Sequence, residues 1–169
     1  MERLVLMRHG DAERQTPGLS DFDRALTPDG RTESRLMGKV LAKAGVAPDL
    51  ALVSPARRAL ETWRAVAESF LDANEEQDPS LYAASAVRLA AAARDAGARA
   101  RVLMLVGHNP GIHQYAIHLA IQAGVSEAAA KPLFERFPTA SAAVFAIGPD
   151  GRPSFEQLFL ARDHRSKAR

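Results

Sequence analysis

Three short apolar runs limit what this chain can become more than any other feature: "RLVLM" (Arg3 to Met7), "LALVS" (Leu50 to Ser54) and "RVLMLVG" (Arg101 to Gly107). Each has the length of a strand, and none shows the period-two alternation of a sheet with one wet face. Such strands are covered on both faces, which is the habit of parallel sheets. The stretches between them have helical spacing. "DGRTESRLMGKVLAKAG" puts Leu36, Val40 and Leu41 on one face and stops at Gly45, a C-terminal cap. "SPARRALETWRAVAESFL" opens with Ser54 as N-cap and Pro55 in the first turn, and sends Trp63, Phe70 and Leu71 toward the core. "SAVRLAAAARDAG" runs from Ser85 to a closing Gly97, and "NPGIHQYAIHLAIQAG" runs from Asn109 to Gly124. Near the end, "AAVFAIG" and "SFEQLFLA" flank the turn "PDGRP" and form a strand pair at a sheet edge. Glu75, Glu76 and Asp78 read as a solvated charged loop. The expected fold is α/β: a three-layer sandwich with a mostly parallel central sheet and an antiparallel edge.

At 169 residues the chain fits one domain, residues 1–169, with a core of ordinary size. Its 47% apolar and 25% charged residues exclude a disordered tail. The net charge of +2 is spread thinly and no aromatic-interleaved basic strip occurs, so nucleic acid is not an expected partner. With no cysteine there is no disulfide scaffold, thiolate metal site or cysteine nucleophile. No apolar run approaches a membrane span and no signal-peptide pattern appears, so no membrane partner is expected and a cytoplasmic protein is. The basic tail "RDHRSKAR" reads as a frayed terminus.

Open α/β sheets bind ligands beyond the carboxyl ends of their strands, and here three strands end in polar groups. Arg8 and His9 follow the first; Ser54, Arg57 and Arg58 follow the second; Gly107, His108 and Asn109 follow the third. Helix N-termini open nearby and favour an anion. Two arginines and two histidines at one sheet edge describe a site for a compact dianion, phosphate first, because the guanidinium fork matches phosphate oxygens. A histidine packed against arginines has its cationic form disfavoured, which leaves a neutral imidazole able to attack phosphorus. Arg8, Arg58 and a protonated His108 then stabilise the equatorial oxygens, and no metal or other cofactor is required. His113 and His118, inside the fourth helix, fit no metal motif and read as structural; Arg57 reads as a rim charge.

"RHG", "SPARRALET" and "VGHNP", in that order and each ending a strand, resemble the three signatures of the histidine phosphatase superfamily, the phosphoglycerate mutase-like fold. "MRHGDA", "LTPDGRTESRLMGKVL", "LYAAS", "VGHNPGIHQYAIHLA" and "FPTASAAVFAI" extend the likeness to the SixA-like phosphohistidine phosphatases over nearly the whole chain. The resemblance implies that His9 becomes phosphorylated and that Arg8, Arg58 and His108 complete the pocket. It makes Asn109 and Thr139 pocket-lining candidates, while Gly10 would let the backbone come close to the anion. It also implies a phosphate-bearing substrate, a phosphohistidine-containing protein domain among the candidates.

One departure bears on the substrate. Relatives that cleave esters usually carry an acid after the second helix, whereas "DPSLYAASAVRL" offers none at Leu81-Tyr82. Losing a general acid costs an ester about 10²–10⁴-fold, but a phosphohistidine nitrogen can be protonated before the P–N bond breaks. Asp11 stands as a substitute acid or base, or as a residue that shapes the loop. The leading expectation is a phosphohistidine phosphatase. The alternatives are a phosphomonoesterase acting on a small metabolite and a non-catalytic phosphate-binding module.

Overall fold

The computed structural model describes residues 1–165; the last part of the basic tail, 166–169, lies outside them. Six strands build one sheet: β1 (Arg3–Arg8), β2 (Leu50–Val53), β3 (Asn74–Gln77), β4 (Val102–Gly107), β5 (Ala142–Ile147) and β6 (Pro153–Phe159), in the order β3-β2-β4-β1-β5-β6. The first four positions of that order are parallel, while β5 pairs antiparallel with β1 and β6 antiparallel with β5. Helices α1 (Pro28–Lys43), α2 (Arg57–Ala67), α3 (Ala86–Gly97), α4 (Gly111–Gln122), α5 (Lys131–Glu135) and α6 (Ala161–His164) cover both faces.

The apolar runs divide residue by residue between the two faces, as the period of a strand requires. Leu4, Leu6, Leu103 and Leu105 pack with Leu89, Ile112 and Leu119 of α3 and α4. Val5, Met7, Met104 and Val106 pack with Met37, Leu41, Trp63 and Val66 of α1 and α2. This is the three-layer sandwich read from the sequence, with the antiparallel edge at β5 and β6.

Register brings the strand ends level. Arg8 lies opposite Gly107 across β1 and β4, and Val53 opposite Val106 across β2 and β4. The residues that follow all three strands therefore emerge at one edge.

Several local expectations need correction. Residues 74–77 form an edge strand paired with β2 rather than a loop, although three of the four are exposed, as suits a charged edge. Asp78 caps the 3-10 turn Pro79–Leu81, its side chain accepting from the Ser80 N–H at 2.8 Å. The buried stripe of α1 is Gly30, Ser34, Met37, Gly38 and Leu41; Leu36 and Val40 are half-buried, because two glycines let α1 approach closely on a face displaced from the most apolar one. The N-cap position of α2 is Ala56, not Ser54. Trp63 and Phe70 are core, but Leu71 is 91% exposed, since α2 ends at Ala67 and its spacing does not carry that far. The tail is not frayed up to Arg165, which forms ion pairs with Asp29 and Glu33.

Candidate active site

His9 leaves the end of β1 and is 8% exposed. Its Nδ1 lies 2.7 Å from the Gly10 carbonyl, which can only accept, so the proton sits on Nδ1 and Nε2 carries the lone pair. Arg58, in the first turn of α2, donates its Nε–H to that Nε2 at 3.3 Å. The rest of the Arg58 fork is held by Asp21. Nη1 donates to the Asp21 carbonyl at 2.6 Å and Nη2 to Asp21 Oδ2 at 3.0 Å.

His108 follows β4, with its ring centroid 5.1 Å from that of His9. Its Nε2 is 2.7 Å from Ser54 Oγ, and that oxygen accepts from the Ala56 N–H at 3.4 Å. Among the described residues the serine hydroxyl has no other acceptor than Nε2, so it donates there and the hydrogen of His108 sits on Nδ1. Ser54 acts here as a cross-strand support for His108 rather than as a helix cap.

Arg8 and Asn109 share one acceptor, the Phe137 carbonyl, which each reaches at 3.0 Å. That carbonyl is delivered by the turn containing Thr139, which is half-buried, and the turn is pinned when the Ala140 N–H donates to the His9 carbonyl at 3.1 Å. Three buried polar atoms of this cluster have no protein partner: Arg8 Nε, His108 Nδ1 and Asn109 Oδ1. Two of them are donors in the tautomer just derived. Buried polar groups ordinarily find partners, so an unpaired guanidinium nitrogen and an unpaired imidazole N–H beside the unprotonated His9 Nε2 describe a cradle for an anion with several oxygens.

Electrostatics sharpen the picture and correct two expectations. Burial, foremost, pushes the pKa of His9 down to about 3, with His108, Arg58 and Arg8 adding to the effect and the Gly10 carbonyl opposing it. Arginine proximity is thus a minor cause of the neutral imidazole. Burial and then Arg58 push His108 down to about 4, against the pull of Asp21. His108 is therefore neutral near pH 7, not the cation read from the sequence. It meets an anion as an N–H donor.

Gly10 also has a different role. Its N–H is already donated to Thr62 Oγ1 at 2.9 Å, and a Cβ there would lie 2.7 Å from the Gly30 carbonyl. The missing side chain makes room for α1, not for an anion. Asp11 is exposed, and its Oδ2 accepts from Thr27 Oγ1 at 3.0 Å at the N-terminus of α1, which is the loop-shaping arrangement of the two read for it. Arg57 pairs with Glu61 on the surface, and His113 bonds the Leu133 carbonyl at 2.6 Å while stacking on Phe137.

Asp21 and Tyr82 are the residues that sequence reasoning missed. Asp21 sits in the 3-10 turn Asp21–Asp23, where no apolar run marks a strand end. Its Oδ2 accepts from Arg58 and from the Tyr82 hydroxyl at 2.8 Å, and its Oδ1 accepts from Arg24 at 2.9 Å. The Tyr82 hydrogen bond is the main reason that its pKa falls to about 2. A carboxylate does reach the Tyr82 region, then, but from a distant loop and firmly ionised.

Comparison with known proteins shows what the chain is similar to. Residues 4–86 match the model of the histidine phosphatase superfamily (branch 1). An uncharacterized protein of Mycobacterium tuberculosis is 33% identical over 141 residues, covering 83% of this chain and 87% of its own. A putative phosphohistidine phosphatase SixA from Agrobacterium tumefaciens superposes with a TM-score of 0.81 at 27% identity, over 94% of this chain and 97% of that one. The protein histidine phosphatase SixA complexed with tungstate shares the fold, with a TM-score of 0.78 at 24% identity, over 96% of this chain and 99% of that one. Fold and relatives together define a hydrolase of the phosphatase class. The chain belongs to the histidine phosphatase superfamily and is SixA-like within it. No helix among the described residues is long and apolar enough to cross a membrane.

Proposed function

We propose that this chain is a phosphohistidine phosphatase working through a covalent phospho-His9 intermediate. The observation that carries the reading is the unprotonated Nε2 of His9, set by the Gly10 carbonyl's hold on Nδ1 and met by a long hydrogen bond from Arg58. His9 Nε2 attacks phosphorus and the P–N bond of the substrate breaks. The departing imidazole keeps the electron pair and leaves neutral, because its other nitrogen already carries a proton. Phospho-His9, still protonated on Nδ1 toward Gly10, is then attacked by water. It leaves neutral in its turn, and both protons of the water stay with the inorganic phosphate until solvent removes them. Arg8, Arg58 and the N–H of His108 hold the equatorial oxygens throughout. Asn109 and the turn of Thr139 frame the pocket through the Phe137 carbonyl.

Neither bond cleavage needs an acid from the protein, and the groups near the leaving side are poor acids. Asp21 is ionised far below neutrality, and Tyr82, whose hydrogen bond to Asp21 is the chief cause of its raised pKa, holds its proton. An alkoxide has no proton donor here, a deficit of about 10²–10⁴-fold for esters. The likeness to SixA structures supports the same choice. The test is a burst experiment with phosphohistidine carrying labelled phosphorus. Wild type is expected to show acid-labile label on the protein, His9→Ala none, and an alkyl phosphate far slower turnover. Label or turnover retained in His9→Ala would sink the mechanism.

A further inference from the structure

Phe22 is the large apolar side chain at this edge of the molecule that the fold does not use. It is 38% exposed, its 3-10 turn buries no residue, and it belongs to neither core cluster. Yet its surroundings are ordered. The Phe22 ring meets Tyr82 edge-on with centroids 5.2 Å apart at 75°, and Tyr82 meets His108 at 5.6 Å and 88°. His108 in turn lies 5.1 Å from His9, so four rings run from the attacking nitrogen to the surface. The outer two are locked to the phosphate clamp, because Asp21 Oδ2 receives both the Tyr82 hydroxyl and Arg58. An exposed aromatic held still in this way presents a stationary apolar surface, and aromatic rings favour edge-to-face or offset contact with a further ring.

The geometry points to a leaving-group platform: Phe22 and Tyr82 favour substrates whose phosphorus is borne by a flat aromatic ring, the imidazole of phosphohistidine, over phosphorylated groups without a ring. This rests on the phosphatase reading above and concerns the part of the substrate that the phosphate clamp does not contact. In an in-line displacement the leaving group departs opposite His9, away from the pocket floor. The ring series leads outward from His9, and its two outer members are the apolar groups fastened to the clamp along that path.

The experiment compares kcat/KM for phosphohistidine, p-nitrophenyl phosphate and acetyl phosphate in wild type, Phe22→Ala, Phe22→Tyr and Tyr82→Phe. In Phe22→Ala the ratio of ring-bearing to ringless kcat/KM is expected to fall about 2- to 10-fold, through KM, the size of one aromatic contact. Phe22→Tyr is expected to restore the ratio. Tyr82→Phe, which keeps the ring and loses the bond to Asp21, is expected to keep the ratio while lowering kcat/KM on all three. Equal losses on the three substrates in Phe22→Ala, or no loss, would overturn the platform. A wild type that cleaves p-nitrophenyl phosphate but not phosphohistidine would instead remove the phosphohistidine assignment, and the aryl-to-acetyl ratio would still decide the platform.

Discussion

Two imidazoles whose charged forms are suppressed by burial make the site sensitive to acid before any substrate is present. An ordinary histidine titrates near 6.5, whereas His9 and His108 do so near 3 and 4 in the folded chain. Below 6.5 the unfolded chain therefore binds protons that the folded one refuses, so stability rises with pH. It is complete above about 6.5 and drains away as the pH falls toward 4 and then 3. Each histidine steepens that slope by about 1.4 kcal/mol per pH unit at most. Urea midpoints at pH 7, 5.5 and 4.5 should fall steeply in wild type and less so in His9→Ala. The same depression places the acid limb of kcat/KM well below 6.5, once the substrate's own ionisation is corrected; a limb near 6.5 would mean that the proposed nucleophile is not held neutral in this way. Arg8, His9, Arg58 and His108 could be singled out in the sequence because Arg8, His9 and His108 lie at the ends of buried strands and Arg58 opens the helix that follows one. Asp21 and Tyr82 could not, because loop residues are placed by tertiary contacts and carry no periodic signal. The sequence also misjudged why His9 is neutral, since the degree of burial is a property of the packed fold.

Between residue and molecule stand the two loops that Asp21 joins. The 3-10 turn at 21–23 and the segment around Tyr82 come from opposite sides of α2 in the chain, and one carboxylate oxygen fastens both to Arg58. Asp21 acts as a positioning residue. Asp21→Asn is expected to lower kcat/KM by about 10–100-fold, the usual scale for an outer-shell anchor. A readout that mere destabilisation would not give accompanies it: the Tyr82 pKa, raised by the Asp21 hydrogen bond, should drop toward 10, while Tyr115, pushed up to about 12 by burial, should not move. Tyrosinate absorbance against pH separates the two. Elements also differed in how readable they were. β1, β2 and β4 stood out because both their faces are covered. β3 did not, since "NEEQ" has one neighbour and an exposed edge, and its strand character comes from pairing with β2 rather than from its own composition.

Across the molecule, the sheet separates two apolar layers, and the proposal that residues 1–169 form one unit requires them to melt together. Trp63 reports on the layer under α1 and α2 alone, whereas circular dichroism reports on all the helices. Coincident urea transitions by tryptophan fluorescence and far-ultraviolet dichroism are expected; separated ones would mean that the layers are independent. The seam between strand and helix is also tight. Gly10→Ala drives a methyl group to 2.7 Å from the Gly30 carbonyl, which cannot turn aside. A cost of about 1–3 kcal/mol follows, read as a melting-point loss of about 2–12 °C.

That seam and the Asp21 junction lead to different evolutionary freedoms. The residues that would hold phosphate sit on strand ends wedged against α1 and α2, where even one added carbon collides. The residues that would meet whatever carries the phosphate sit on two surface loops fastened at one point. Changing the exposed positions of these two loops while keeping Asp21, Tyr82 and the buried Leu81 would give the same chemistry a new clientele without disturbing the sheet.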